Sequence, residues 1–217
     1  MIAMKNKPKG AQRARHHQCD VTPSRAPAIQ ETLRKPWSGE DLLPRIRLVA
    51  GLDAPFVLLG SQALKKRPNR RGVLRHANRA IGCVVTYRYP EMQEEERAYA
   101  VLPLEFPHIP GLLSFSEIPV LLAALAKRKQ MPVLLYFDGQ GYAHPRRMGV
   151  ARHLGVLLDR PTLECARNLM VGTHEPLGGK ARSRATMVDE KARVERIGTV
   201  LRTQDAVRPI YVSQGLG

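Results

Sequence analysis

Acid is what this sequence is short of. Nineteen Asp and Glu face thirty-five Lys and Arg in 217 residues, a formal charge of +16 with a pI near 10.4. That imbalance is the electrostatic footprint of a phosphate-rich partner, with nucleic acid first and an acidic membrane surface second. Long apolar runs are missing too. The longest clean one, from Ile118 to Ala126, is far below the ~20 residues a membrane span needs, and the opening residues lack the apolar stretch of a secretory signal. Cysteine is scarce: Cys19, Cys83 and Cys165 are too widely spaced for a disulfide ladder or a zinc knuckle. These absences predict a reduced, cytoplasmic protein with no membrane partner. What is present is ordinary, with 43% hydrophobic and 25% charged residues, which excludes collagenous, wholly disordered and disulfide-scaffold classes. The length suits one domain with something left over.

Residues 1–40 hold eight basic and three acidic residues, several prolines and no apolar period. Such a segment buries too little surface to offset its ordering entropy and reads as a disordered basic arm, leaving one domain over residues 41–217. Ile46 to Asp53 is apolar at nearly every position, a first strand expected to be buried on both faces. Residues 56–79 interrupt the β pattern, and from Lys65 to Arg79 there are seven basic residues and no acid. That basic insert is either a solvated charge run or a loop that grips phosphate. Ile81–Tyr89 and Arg97–Leu104 then suggest an antiparallel hairpin, which makes the first three strands a meander. Beyond Gly111 the pattern becomes α/β: a helix striped by Ile118, Leu121, Leu122 and Leu125, a strand over Val133–Phe137, a helix from about Met148 to Leu157, and a strand over Thr162–Cys165. Two more extended stretches follow, Arg196–Thr203 and Arg208–Ser213, and no internal repeat is present.

Two strands end in an acid, Asp53 and Asp138, and both would project into the crevice where open α/β sheets bind ligands. Glu117 lies at the start of the striped helix. In a capping box, Ser114 to Glu117, the glutamate would merely close backbone donors. Pro119 argues for Ser116 as the N-cap instead, because that places the proline in the first turn and leaves Glu117 free. Three converging carboxylates repel one another unless a cation neutralises them, and hard oxygen ligands select Mg2+ or Mn2+. Such a site suits phosphodiester hydrolysis, although strand-terminal acids also cap loops and bind sugars. His144 and His153 could each be core or helix-flanking histidines; His144 is favoured for the site by its neighbours, His153 for the core. The Asp138-Gly139-Gln140-Gly141 turn permits close approach of a base or backbone. Arg146 and Arg147 could hold a phosphate, and Cys165 reads as core.

Three segments are specific enough to carry a resemblance: Val49-Ala50-Gly51-Leu52-Asp53, Phe106 to Glu117, and Asp138 to Arg147. Together with His153–Leu157, Pro161-Thr162, Leu169–Gly172 and Arg208–Ser213, in order and spacing, they resemble endonuclease V over roughly residues 42–217. The resemblance implies a ribonuclease H-like α/β fold, an antiparallel meander followed by parallel strands and flanked by helices. It implies an Mg2+-dependent endonuclease, with Mn2+ able to substitute, that cleaves DNA one nucleotide to the 3′ side of deoxyinosine in repair of deaminated adenine. Some members act on inosine in RNA. By the same resemblance Asp53, Glu117 and Asp138 are the metal-binding acids, and His144 stands near them as a catalytic group. Gly111, Leu113 and Gly139 line the pocket for a flipped hypoxanthine, and Pro107, His108, Ile109 and Pro110 form the strand-separating wedge. Extruding a base costs a few kcal/mol, least when the pair is already weak. The partner is then inosine-containing DNA, or RNA, and the protein is expected to act as a monomer.

The sequence departs from the family pattern at several places. His108 stands where the wedge usually has tyrosine, Ser116 where an arginine precedes the glutamate, and Arg167, near the cleaved phosphate, where the family has lysine. Glu164-Cys165 replaces a Gly-Val pair. The family's Ser-Pro-Gly-His and long final helix are replaced by Ser213-Gln214-Gly215-Leu216-Gly217, so the final helix is expected to be missing. The alternative function is therefore a catalytically impaired relative that binds nucleic acid without turnover.

Overall fold

The computed structural model describes residues 21–34, 45–58, 78–189 and 195–215. Its elements in chain order are α1 (Ala26–Leu33), β1 (Leu48–Asp53), β2 (Phe56–Val57), β3 (Arg79–Arg88), β4 (Gln93–Pro103), α2 (Leu113–Leu125), β5 (Leu134–Phe137), α3 (Val150–Leu158), β6 (Thr162–Ala166), β7 (Arg184–Asp189), β8 (Glu195–Leu201) and β9 (Ile210–Gln214). The basic residues from Lys65 to Arg75 lie outside the described residues, as do residues 1–20 and 35–40 of the expected arm.

The described strands form one mixed sheet in the order β2-β3-β1-β5-β6-β9-β8-β7, with β4 on the outer side of β3. β1, β3 and β4 make the antiparallel meander, β1 pairing with β3 from Leu48↔Arg88 to Asp53↔Cys83. β5 then runs parallel to β1 and β6 parallel to β5, with α2 and α3 as the crossovers. β9 returns antiparallel to β6. This is the ribonuclease H-like α/β arrangement. The hairpin of β7 and β8 extends the sheet beyond β9, and β7 was not foreseen from its sequence.

Strand alternation sends Ala50, Leu52, Val84, Ala100, Leu135 and Phe137 to one face. There they pack with Ile118, Val120, Leu121 and Leu125 of α2 and with Ala151, Leu154 and Leu157 of α3. The opposite face is open only in part among the described residues: Val49 and its neighbour Leu134 are buried, whereas Gly51 is exposed and a Cβ there would meet nothing within 4 Å. Tyr99 (65%) and Tyr136 (38%) also show there. β1, expected to be buried on both faces, is covered at Ala50 and Leu52 on the helix side but on the other side only at Val49, Gly51 and Asp53 being exposed. Cys165, read as core, is half-buried and outside the core clusters.

Two local readings also change. Within the expected arm, residues 26–33 form α1, with Pro27 in its first turn, Ala26 fully buried and Gln30 1% exposed. An eight-residue helix is marginal alone, and tertiary burial supports it: Ala26 joins Phe106, Leu112 and Phe115 in a small cluster with Val21, Ile29 and Ile109 against it. α2 begins at Leu113, with Leu112 at the cap, so Ser116 is not the N-cap and Pro119 lies inside the helix. An interior proline costs about 3 kcal/mol or more. Burial of Ile118, Val120, Leu121 and Leu125, each worth about 1.5–3 kcal/mol, outweighs that cost.

No described helix is long and apolar enough to cross a membrane.

Candidate functional site

β1 and β5 are adjacent and parallel, Leu52 lying beside Phe137, so the acids that follow emerge side by side at the same sheet end. Asp53 closes β1 and is exposed, its Oδ1 accepting the Ala54 N–H at 2.8 Å. Asp138 follows β5, also exposed, with Oδ2 3.6 Å from Arg167 just past β6. Glu117 reaches toward both from α2. Burial, followed by the negative charges of Asp53 and Asp138, pushes its carboxyl up to about 8. The sequence therefore named three acids that do feel one another.

They do not stand in closed coordination geometry. Among the described residues, no three carboxylate, imidazole or thiol groups are gathered closely enough to hold a metal ion. The donor set nevertheless fits a hard divalent cation, because three carboxylates with mutual repulsion gain most from a shared positive charge. Asp53 and Asp138 are exposed side chains with room to turn, and Arg167 supplies the cation that Asp138 faces here.

Beside these acids lies a slot of about 90 Å3. Glu117, Asp138 and His144 line it, with Gly111 and Leu113 on one side and Gly139 on the other. A Cβ at Gly139 would meet open space. The wedge residues and Arg167 are outside its lining. Exposed His108 sits edge-on to Phe56 with ring centres 5.5 Å apart, while Ile109 is tucked against the α1 cluster, so the Pro107–Pro110 loop is anchored at its base. A larger cavity of about 310 Å3 lies behind α2, between Ala80, Leu102, Phe106, Phe115 and Val120. None of the three carboxylates lines it, whereas Glu117 and Asp138 line the smaller slot.

The loop after β5 is held from below. Ser213 Oγ accepts the N–H groups of Gly141 and Ala143 at 3.4 and 3.3 Å. Glu164 lies beneath Gly141, where a Cβ would come within 2.9 Å of its carboxyl carbon and 2.7 Å of the Gln214 carbonyl oxygen. Glu164 is wholly buried, which pushes its carboxyl well up. One oxygen accepts the Ala151 N–H at 3.2 Å and the other lacks a hydrogen-bond partner among the described residues.

His144 is buried, and that burial, with Arg146 next in effect, lowers its pKa to about 4, so the ring is neutral. Its Nδ1 accepts the Arg146 backbone N–H at 3.2 Å, which assigns the ring proton to Nε2, 3.2 Å from the Gly111 carbonyl. Both nitrogens are thus engaged within the protein, an arrangement that holds the loop. His153 is core, as expected: it is fully buried, 2.9 Å from Ser114 Oγ and edge-on to Phe115.

Arg146 and Arg147 are not free to hold a phosphate as expected. Arg147 is buried and pairs with Asp189 at 2.6 Å and Glu195 at 2.9 Å, and Tyr142 also bonds Glu195. Arg146 binds Gly111 and Gln30. Gln140, part of the turn read as a site of base approach, lines the slot, and sequence reasoning missed Gln30, Ser114, Met148, Gly149, Val150 and Met170 there. No sequence signal separated Gln30 from the arm around it.

Comparison with known proteins identifies the family. A sequence profile of endonuclease V matches residues 70–217. An endonuclease V from Rippkaea orientalis is 40% identical over 197 residues, 91% of this chain and 77% of its own length; one from Nostoc sp. is 40% identical over 200 residues, 92% and 81%. The crystal structure of endonuclease V from Streptomyces avermitilis superposes with a TM-score of 0.74 at 32% identity, covering 92% of this chain and 79% of that one. Endonuclease V from Ciona intestinalis, in complex with a 23mer DNA containing an inosine followed by a ribo-adenosine, shares the fold with a TM-score of 0.67 at 23% identity, covering 90% and 84%. By profile, sequence identity and fold together, this chain belongs to the endonuclease V family.

Proposed function

We propose that the chain is a divalent-metal-dependent endonuclease that nicks DNA beside deoxyinosine in the repair of deaminated adenine. One observation carries the reading: Asp53 and Asp138 leave adjacent parallel strands, and their charges act on Glu117 beside a slot lined by Gly111, Leu113 and Gly139. The inosine-containing DNA bound by the Ciona relative supports the substrate class.

Asp53, Glu117 and Asp138 would hold Mg2+, with Mn2+ able to substitute. When bound, the ion supplies an activated water and stabilises charge on the attacking and leaving oxygens. Glu117 must give up its proton before it can act as a ligand. Arg167, exposed beside Asp138, would take the phosphate 3′ to the lesion. The Pro107–Pro110 loop, with His108 braced on Phe56, would fill the gap left by the extruded base, and Gly111, Leu113 and Gly139 would receive it. His144 acts by fixing Gly111 in place. The two free, half-buried thiols, Cys83 and Cys165, suit a reducing cytoplasm, and we assign the working form as a monomer.

The test is a 5′-labelled duplex carrying one deoxyinosine, incubated with the protein and Mg2+ beside an undamaged duplex and an inosine-containing RNA. The reading expects a single nick one nucleotide 3′ to the inosine in DNA and none in the undamaged duplex. Absence of nicking with both Mg2+ and Mn2+ overturns it. A second reading, a nucleic-acid-binding relative without turnover, is favoured by the open arrangement of the three acids. It expects steeply salt-dependent binding with no cleavage.

A further inference from the structure

Gln30 is a polar side chain that the proposed chemistry leaves unused. It lies on α1, is 1% exposed, and lines the same slot as Glu117, Asp138 and His144. Its carboxamide is fully occupied. Nε2 donates to the Met148 carbonyl at 2.9 Å and to the Gly111 carbonyl at 3.2 Å, and Oε1 accepts from Arg146 Nε at 2.6 Å. Three segments remote in sequence therefore meet on one amide: α1, the loop that opens α2, and the loop between β5 and α3.

Those bonds converge on a single peptide group. The Gly111 carbonyl also accepts from Arg146 Nη2 at 2.6 Å and faces His144 Nε2 at 3.2 Å, while the adjoining Leu112 N–H donates to Ile109 at 2.9 Å. The peptide between Gly111 and Leu112 is thus pinned at both ends. Gly111 has φ +80°, a left-handed conformation that glycine adopts without strain. Its carbonyl is turned toward Gln30, Arg146 and His144, so the edge of the slot opposite Gly139 is set by these donors.

We propose that Gln30 is a positioning residue for base recognition, its carboxamide locking Gly111 and the 144–148 loop so that the slot discriminates the extruded base from an unmodified one. This rests on the base-slot reading of Gly111, Leu113 and Gly139 given above. Loss of the carboxamide leaves the Met148 carbonyl and the Arg146 guanidinium short of a partner, and buried groups in that state move to find one. A shift of about 1 Å in a positioning group can cost on the order of 100-fold in a reaction that depends on it.

The experiment uses the full chain with Gln30→Met, which keeps side-chain length without hydrogen bonds. Gln30→Glu accompanies it, keeping the acceptor for Arg146 while removing the donor to both carbonyls. Affinities are measured for a duplex with one deoxyinosine and for the same duplex without it, together with melting temperature and the KM and kcat of nicking. The expected result is a fall of about tenfold or more in the inosine preference, carried by KM. Affinity for the undamaged duplex, set by phosphate contacts, stays within about twofold. An unchanged preference in whichever variant melts cooperatively near the parent overturns the proposal, and so does an equal loss on both duplexes. A parent protein without any inosine preference overturns the base-slot reading itself, a result visible before either variant is measured.

Discussion

The guanidinium of Arg167 lies 3.6 Å from the carboxylate of Asp138, at the mouth of the slot, with 84% and 54% of the two side chains exposed. An ion pair so open to water contributes about 0–1 kcal/mol. Arg167→Ala therefore leaves the melting temperature almost unchanged. Because the arginine competes for a carboxylate of the proposed metal site, its removal should strengthen Mn2+ binding by up to about fivefold, read by calorimetric titration. Cleavage should slow by about tenfold or more through loss of a charge-assisted phosphate contact.

On the proposed metal site, Glu117 couples metal binding to pH. With its pKa pushed up to about 8 by burial and then by Asp53 and Asp138, the carboxyl is mostly protonated at pH 7 before metal arrives. Binding must expel that proton, so affinity should rise about tenfold per pH unit up to pH 8 and then level off. Titrations at pH 6.5 in two buffers of different ionisation enthalpy should show nearly one proton released per metal. Glu117→Gln should abolish both the release and the slope.

Glu164 gives the opposite kind of pH signature, in stability. Burial raises its carboxyl well above the usual carboxylate range, whereas in the unfolded chain it ionises above about pH 4.3. A folded-state pKa raised in this way means that unfolding releases a proton, so stability falls as pH rises from the unfolded value toward the folded one. Glu164→Gln removes that dependence. Its advantage in chemical denaturation should widen as pH rises above the unfolded value, by up to about 1.4 kcal/mol per unit.

Pro119 is exposed and interior to α2. Pro119→Ala restores the backbone donor to the Phe115 carbonyl and should stabilise the protein by about 1–3 kcal/mol. Thermal melting reads this as a rise of several degrees.

The strand-end acids were readable because β1 and β5 are short apolar runs that stop at Asp53 and Asp138. The glycine turn at Gly139 was readable beside its strand-end acid, whereas Gly111 and Leu113 were named only through the family resemblance, whose motifs are contiguous segments. What could not be read depends on partners distant in the chain. Arg147 resembles a free basic residue until Asp189 and Glu195 are brought to it, more than forty positions later. α1 looks like part of a proline-bearing basic arm, because its stability comes from packing beneath the Ile109 loop and on α3. Pro119 misled for a related reason: local cost argued for a later helix start, and the buried face of α2 overrode it. Met148 and Met170, apolar and unpatterned, carried no signal of the slot they line.

The central claim is that Asp53, Glu117 and Asp138 act as one unit on one divalent cation. Its most direct test is the rate of Mg2+-dependent nicking at deoxyinosine in Asp53→Ala, Glu117→Ala, Asp138→Ala and the triple variant, with folding checked by melting. The account predicts that each single substitution lowers the rate nearly as far as all three together, since residues that serve one ion are not additive. Independent, multiplicative losses, or full activity in any one of the single variants, would contradict it.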